Sequence, residues 1–101
     1  MRLKALDLLG FGIWENSQDL NELHTKKASQ ENSEIISGKN VKVLEIDNHD
    51  LHINEHISYM LGGDYSQKYS QDPKIEQCFL SHIKQHKIFK SMEKNLENNQ
   101  N

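Results

Sequence analysis

The sequence predicts a mainly α-helical fold, a small module of about four helices with one short extended segment. Two observations carry this prediction. Apolar residues recur at steps of three and four, most clearly between Ile75 and Leu96, as they do along one face of a helix. Candidate helices also begin after good N-cap residues such as Asn48 and end at glycines such as Gly62-Gly63. The chain has 101 residues, which fits one domain, and we expect residues 1–96 to form it.

The first half of the chain contains two segments that bury little apolar surface. Residues 1–14 form an apolar N-terminal segment, with a short helix that its glycines interrupt. Residues 16–37 are predicted to form a polar helix that stops at Gly38. Apolar positions are sparse on that helix, which indicates that it is exposed, packs weakly on one side or pairs with another subunit.

The second half begins with a branched apolar stretch and continues with two histidine-bearing helices. Residues 41–46 alternate in a manner typical of a short extended segment. The histidine-bearing helices are expected over 48–62 and 73–96, separated by a polar loop over 64–72. The low-complexity residues 97–101 are expected to form a disordered tail.

Composition restricts the function classes. Apolar residues make up 35% of the chain, less than the roughly 45–50% of typical domains. Such a lean composition suggests that part of the chain is disordered or buries its apolar surface against a partner, and we favour a partner because the apolar residues cluster in stripes. The net charge is −3 and there is no long basic run, which argues against direct nucleic-acid binding. The single cysteine, Cys78, excludes an internal disulfide and is expected to be a buried small hydrophobe.

Two histidine couples with helical spacing are the most distinctive chemical feature. They comprise His52, His56, His82 and His86. Residues four apart lie on one face of a helix, so the couples can meet if the two helices pack antiparallel. Four converging imidazoles can bind zinc tetrahedrally, and further ligands or supporting contacts can come from Asp47, His49 or Glu55.

Other interpretations of the histidines are open, and a structural role is the one we favour. A histidine in an apolar stripe often packs its ring and donates a hydrogen bond to a neighbour. A third interpretation is a pH-sensitive interface, because the unperturbed pKa of histidine is near 6.5. The string His52-Ile53-Asn54-Glu55-His56 also matches the H-x-x-E-H motif of zinc peptidases. A chain of this size has little room for a third ligand and a substrate cleft, so we predict no catalytic residues and no cofactor, with zinc as the alternative.

Several motifs together resemble the C-terminal region of tailed-bacteriophage portal proteins. They are Leu8-Leu9-Gly10-Phe11-Gly12, Glu31-Asn32 on the polar helix, Gly38, the block from Asp47 to His56 (DNHDLHINEH), and His82-Ile83-Lys84-Gln85-His86. The family often carries an LLEFG-like stretch, an REN..M..G helix, a DNH..H...H motif and a closing H....H. The similarity spans roughly residues 5–90.

The resemblance implies a non-enzymatic phage structural module that acts in capsid assembly and DNA packaging. Its implied partners are further copies of the chain, other virion proteins and packaged DNA without sequence specificity, with no membrane partner. The implied location is the virion or the bacterial cytoplasm, including a prophage origin. Segments that build the stem, clip and wing of portal proteins are missing, so we expect a fragment of a larger protein or a small separate gene product. Two alternatives stay open: a small structural zinc-binding protein, and a small helical adaptor or regulator.

Overall fold

The computed structural model describes residues 18–99, and this region is mainly α-helical, as predicted. It contains four helices, which are α1 (Gln18–Ile36), α2 (His49–Leu61), α3 (Gly63–Lys68) and α4 (Pro73–Asn99). Helices α1, α2 and α4 pack against one another, and α3 packs against α2. The predicted N-terminal segment 1–14 lies outside the described residues, as do residues 100 and 101. Among the described helices, none has the length and apolar character needed to cross a membrane.

Local interactions explain where the helices begin and end. Gly38 adopts φ +95° after α1, and the backbone N–H groups of Gly38 and Lys39 donate to the carbonyls of Ile35 and Glu34, at 3.0 Å each. This pattern is the Schellman motif, in which a glycine relieves the left-handed backbone strain. The side chain of Asn48 accepts the backbone N–H of Leu51 and so caps α2. These ends agree with those that the sequence predicts.

The connection between α1 and α2 differs from a strand. The predicted extended segment 41–46 has no strand pairing within residues 18–99, and its last residues turn. The Asp47 carboxylate accepts the backbone N–H of Leu44 at 3.0 Å, which closes this turn. Val43 is buried, so the segment lies against the helices and does not form a sheet edge.

Three details correct the sequence-based expectations. The predicted polar loop 64–72 contains helix α3, which an Asp64–Lys68 ion pair of 3.1 Å spans at i,i+4 spacing. Helix α4 continues to Asn99, so residues 97–99 of the predicted disordered tail are helical. Cys78 is exposed and not buried, because it lies one position away from Phe79 on the buried face of α4.

The interior has an apolar part and a polar part. Ile35, Tyr65 and Phe79 form the apolar cluster, with Phe79 fully buried. Within the described region, buried polar or charged residues outnumber buried apolar residues by eight to six. The eight are Glu31, Asn32, Asp47, His49, His52, His56, His82 and His86. In such an interior the buried polar groups need hydrogen-bonding or ionic partners, because burying a polar group without a partner is costly.

Candidate metal centre

All of the buried polar residues except Asp47 come from three helices, each of which presents one face to the same part of the interior. Helix α1 contributes Glu31 on the same face as the buried residues Ala28 and Ile35. Helix α2 contributes His52 and His56, and α4 contributes His82 and His86, each couple at i,i+4 spacing. The predicted meeting of the two couples is therefore present, with ring centroids of His56 and His82 4.7 Å apart and those of His52 and His86 4.9 Å apart.

Four of these side chains form a set that can hold a metal ion. Glu31, His56, His82 and His86 each offer one ligand atom, and the four atoms lie within 4.8 Å of one another. All four side chains are buried, between 0 and 4% exposed. Three of the four predicted ligands are therefore in the set, and the fourth predicted ligand, His52, approaches Glu31 from the side with its Nδ1 at 3.3 Å.

The distances around Glu31 match those between ligands of one ion. Glu31 Oε1 lies 3.4 Å from His56 Nε2 and 3.3 Å from His82 Nε2. Ligand atoms about 2.0–2.1 Å from a tetrahedral zinc ion lie about 3.3–3.4 Å apart. A charge-assisted hydrogen bond between a protonated imidazole and a carboxylate is shorter, at about 2.7–2.9 Å. The separations therefore fit two ligands of a common ion better than a donor and an acceptor.

The outer nitrogen of each histidine in the set is held by a further contact. His82 Nδ1 donates to the backbone carbonyl of Val41 at 3.0 Å. His56 Nδ1 donates to the side-chain oxygen of Asn32 at 2.7 Å, and His86 Nδ1 pairs with His49 Nδ1 at 2.8 Å. With Nδ1 as the donor, the lone pair of a neutral imidazole is on Nε2, the nitrogen that faces Glu31 Oε1 in His56 and His82. Such supporting hydrogen bonds are the usual means of orienting histidine ligands.

The inner atoms lack ordinary hydrogen-bond partners. Glu31 Oε1 and the Nε2 atoms of His56, His82 and His86 are buried and make no hydrogen bond with the described residues. Burial, together with the neighbouring histidines, lowers the pKa of His86 to about 3, and burial also lowers the pKa of His56. Both imidazoles are therefore neutral at pH 7, which is the form that binds metal ions.

Lys27 lies beside the cluster and pairs with two carboxylates. Its Nζ donates to Glu31 Oε2 and to Asp47 Oδ1, both at 2.8 Å. Burial alone would raise the pKa of Glu31, but its contacts with the histidines and Lys27 hold that pKa well below its usual range. In the same way, burial is outweighed by the Lys27 and Leu44 hydrogen bonds, which lower the pKa of Asp47. Both carboxyl groups are therefore ionised.

The other predicted contributors have different positions. Asp47 and His49 lie next to the cluster, with His49 supporting His86 and stacking on Phe89 at a centroid distance of 5.3 Å. Glu55 is half-buried and belongs to neither group of potential metal ligands in the described region, where it borders surface clefts between α1 and α2. The peptidase interpretation requires Glu55 next to the metal ion to activate water, and Glu55 does not lie there.

Glu31 was missed as a candidate ligand because the helix that carries it is polar on most of its surface. The available signal was its register, since Glu31 lies three residues after Ala28 and four before Ile35, both buried. His24 was also missed, and it contacts His52 through ring centroids 5.5 Å apart. Asn32, which belongs to the motifs that resemble portal proteins, supports His56.

Comparison with protein families, curated proteins and solved structures gives no match. The resemblance of the Asp47–His56 block to portal proteins therefore stays a prediction. The ligand set itself is informative about the ion. Three imidazoles and one carboxylate suit zinc and related first-row ions such as cobalt and nickel, whereas magnesium and calcium prefer oxygen ligands alone.

Proposed function

We propose that this chain is a non-enzymatic structural module in which a zinc-class divalent ion joins α1, α2 and α4. The ion is bound by Glu31 Oε1 and by the Nε2 atoms of His56, His82 and His86. The observation that supports this proposal is the common orientation of the histidines. The Nδ1 atom of each has a partner, and the Nε2 atoms of His56 and His82 lie 3.4 and 3.3 Å from Glu31 Oε1. A ligand atom of His86 lies within 4.8 Å of the ligand atoms of the other three residues.

The composition of the site supports a structural role. Four protein ligands complete a tetrahedral shell, whereas catalytic zinc sites usually keep one position for water or substrate. The ligands are almost fully buried, so a substrate has no direct path to the ion. An ion held in this way ties together three helices that are distant in sequence, and its binding energy adds to the stability of the fold.

If the histidines have a purely structural role, the contacts of His56 and His82 with Glu31 must be hydrogen bonds, and each of them needs a proton on the histidine. A neutral imidazole has one N–H, and His82 uses its N–H on the Val41 carbonyl. For Glu31 Oε1 to accept hydrogen bonds from both His56 and His82, both rings must carry a second proton inside the protein. A single divalent ion supplies the same positive charge at the point where the lone pairs meet.

Metal content provides the direct test. The protein is purified without chelator and without a histidine tag, and its zinc, cobalt and nickel are measured by plasma mass spectrometry. We expect at least one ion per chain. Glu31→Gln removes the ligand charge with little change in shape, and we expect it to lower the affinity for zinc at least tenfold. Glu34→Gln is the matched control on the same helix, and its affinity should equal that of the original chain. A protein that neither retains nor takes up zinc contradicts the proposal.

The broader setting that we propose is the C-terminal region of a portal-like virion protein that self-associates. The resemblance of the Asp47–His56 block supports it, as do exposed large apolar side chains such as Ile46 at 82% and Leu61 at 79%. Light scattering over a range of concentrations tests the self-association. Oligomers that dissociate on dilution are expected, and a strict monomer at high concentration argues against this setting.

A further inference from the structure

We infer a second metal site next to the first, formed by His24, Asp47 and His52. Each of the three side chains offers one ligand atom, and these atoms lie within 4.8 Å of one another. Asp47 and His52 are buried, at 5% and 0% exposed, while His24 is half-buried at the mouth of the site. The site is built from α1, the turn before α2, and α2 itself.

His52 lies between the first site and Asp47. Its Nδ1 lies 3.3 Å from Glu31 Oε1, a proposed ligand of the first ion, and its Nε2 lies 3.8 Å from Asp47 Oδ1. Both ring nitrogens are buried and have no hydrogen-bond partner within residues 18–99. The inference rests on the proposed function in this respect, because the first ion's ligand lies against Nδ1 and leaves Nε2 to face Asp47.

The other two ligands are also prepared to bind a cation. His24 Nδ1 accepts the backbone N–H of Asn48 over a long distance of 3.4 Å, so its single lone pair is weakly engaged, and a metal ion bound there replaces this hydrogen bond. Asp47 is ionised and is fixed in place by Lys27 and by the backbone N–H of Leu44. Its Oδ1 atom has a second lone pair for a metal ion besides the one that accepts from Lys27.

The second site differs from the first in having an open side. His24 and Asp47 line a surface cleft of about 580 Å³, together with residues such as Asn48, His49 and Glu93. Two imidazoles and one carboxylate bind zinc-class or ferrous ions with positions left for water or a small anion. We therefore assign the enclosed site to an ion that holds the fold and the open site to an ion that exchanges with solvent.

Metal stoichiometry under native mass spectrometry tests the second site. The untagged protein is stripped of metal, titrated with Zn²⁺ and measured alongside two variants. His24→Gln removes a ligand at the mouth of the cleft. Because the His24 side chain is only half-buried, we expect this substitution to leave the fold intact. Glu45→Gln is the matched control, because Glu45 is an exposed carboxylate that lines the same cleft but lies outside the ligand set.

We expect two zinc ions in the original chain and in Glu45→Gln, and one in His24→Gln. One ion in the original chain, unchanged in His24→Gln, overturns the second site and leaves the first intact. Two ions in both the original chain and His24→Gln overturn the assignment of His24. No bound ion in any variant overturns the proposed function, and the second site with it.

Discussion

Removal of the proposed metal ion is expected to lower the melting temperature of this protein by about 15–30 °C. The proposed ligands come from α1, α2 and α4 and are at most 4% exposed, so the unfolded chain does not hold them together. An ion that binds only the folded state at a free concentration 1,000 times its Kd stabilises that state by about 4 kcal/mol. In a domain of 60–100 residues, each kcal/mol corresponds to about 4–8 °C in Tm.

The assay follows helical circular dichroism during heating, before and after dialysis against EDTA. Added Zn²⁺ should restore the higher Tm, and Mg²⁺ at the same concentration should not. Glu34→Gln should behave as the original chain does, whereas EDTA should lower the Tm of Glu31→Gln by less than it lowers that of the original chain, because the variant binds zinc more weakly. If mass spectrometry shows that the ion has left and the Tm is unchanged, the ion does not hold the helices together and the reasoning is refuted.

Three further predictions concern the apolar half and a helix end, each measured by urea unfolding with EDTA present. Phe79→Ala should cost about 3–5 kcal/mol, because Phe79 is fully buried between Ile35 and Tyr65; a loss below about 1 kcal/mol contradicts that packing. Gly38→Ala should cost roughly 1–2 kcal/mol from its φ of +95° alone, since no atom lies within 4 Å of an added Cβ; an unchanged midpoint refutes this. Burial raises the pKa of Tyr65, so folding loses stability as pH rises above about 10. Tyr65→Phe removes this pH-dependent loss, and it also removes a buried hydroxyl that has no partner in the described region. The variant should therefore be more stable than the original chain, most clearly at high pH.

The parts of the fold that depend on neighbouring residues were predictable from the sequence. The start of α2 at Asn48 and the ends at Gly38 and Gly62 follow from capping interactions within a few residues. The alignment of each histidine couple also follows from a local rule, because residues four apart share a helix face. The meeting of the two couples was predictable only on the condition that their helices pack antiparallel.

The parts that depend on distant contacts were not predictable. Helix α3 was taken for a loop because its six residues have little helical signal of their own, and Tyr65 on that helix is buried against Phe79. Glu31 was not identified as a ligand because the face of α1 that turns inward is determined by packing with α2 and α4. Much of the chemistry of the site depends on the burial of Glu31. The sparse apolar pattern of α1 gives little information about which of its residues are buried.

The lean apolar composition and the histidine couples are two aspects of one feature. A fold with eight buried polar residues and six buried apolar ones in its described region gains less from the hydrophobic effect than a typical domain does. It must also compensate buried atoms such as Glu31 Oε1 and the inward-facing Nε2 atoms. A divalent ion meets both needs, because it satisfies those atoms directly and contributes binding energy in place of missing apolar burial. The sequence suggested that a partner compensates for the small core, and in this proposal the first such partner is a metal ion inside the fold.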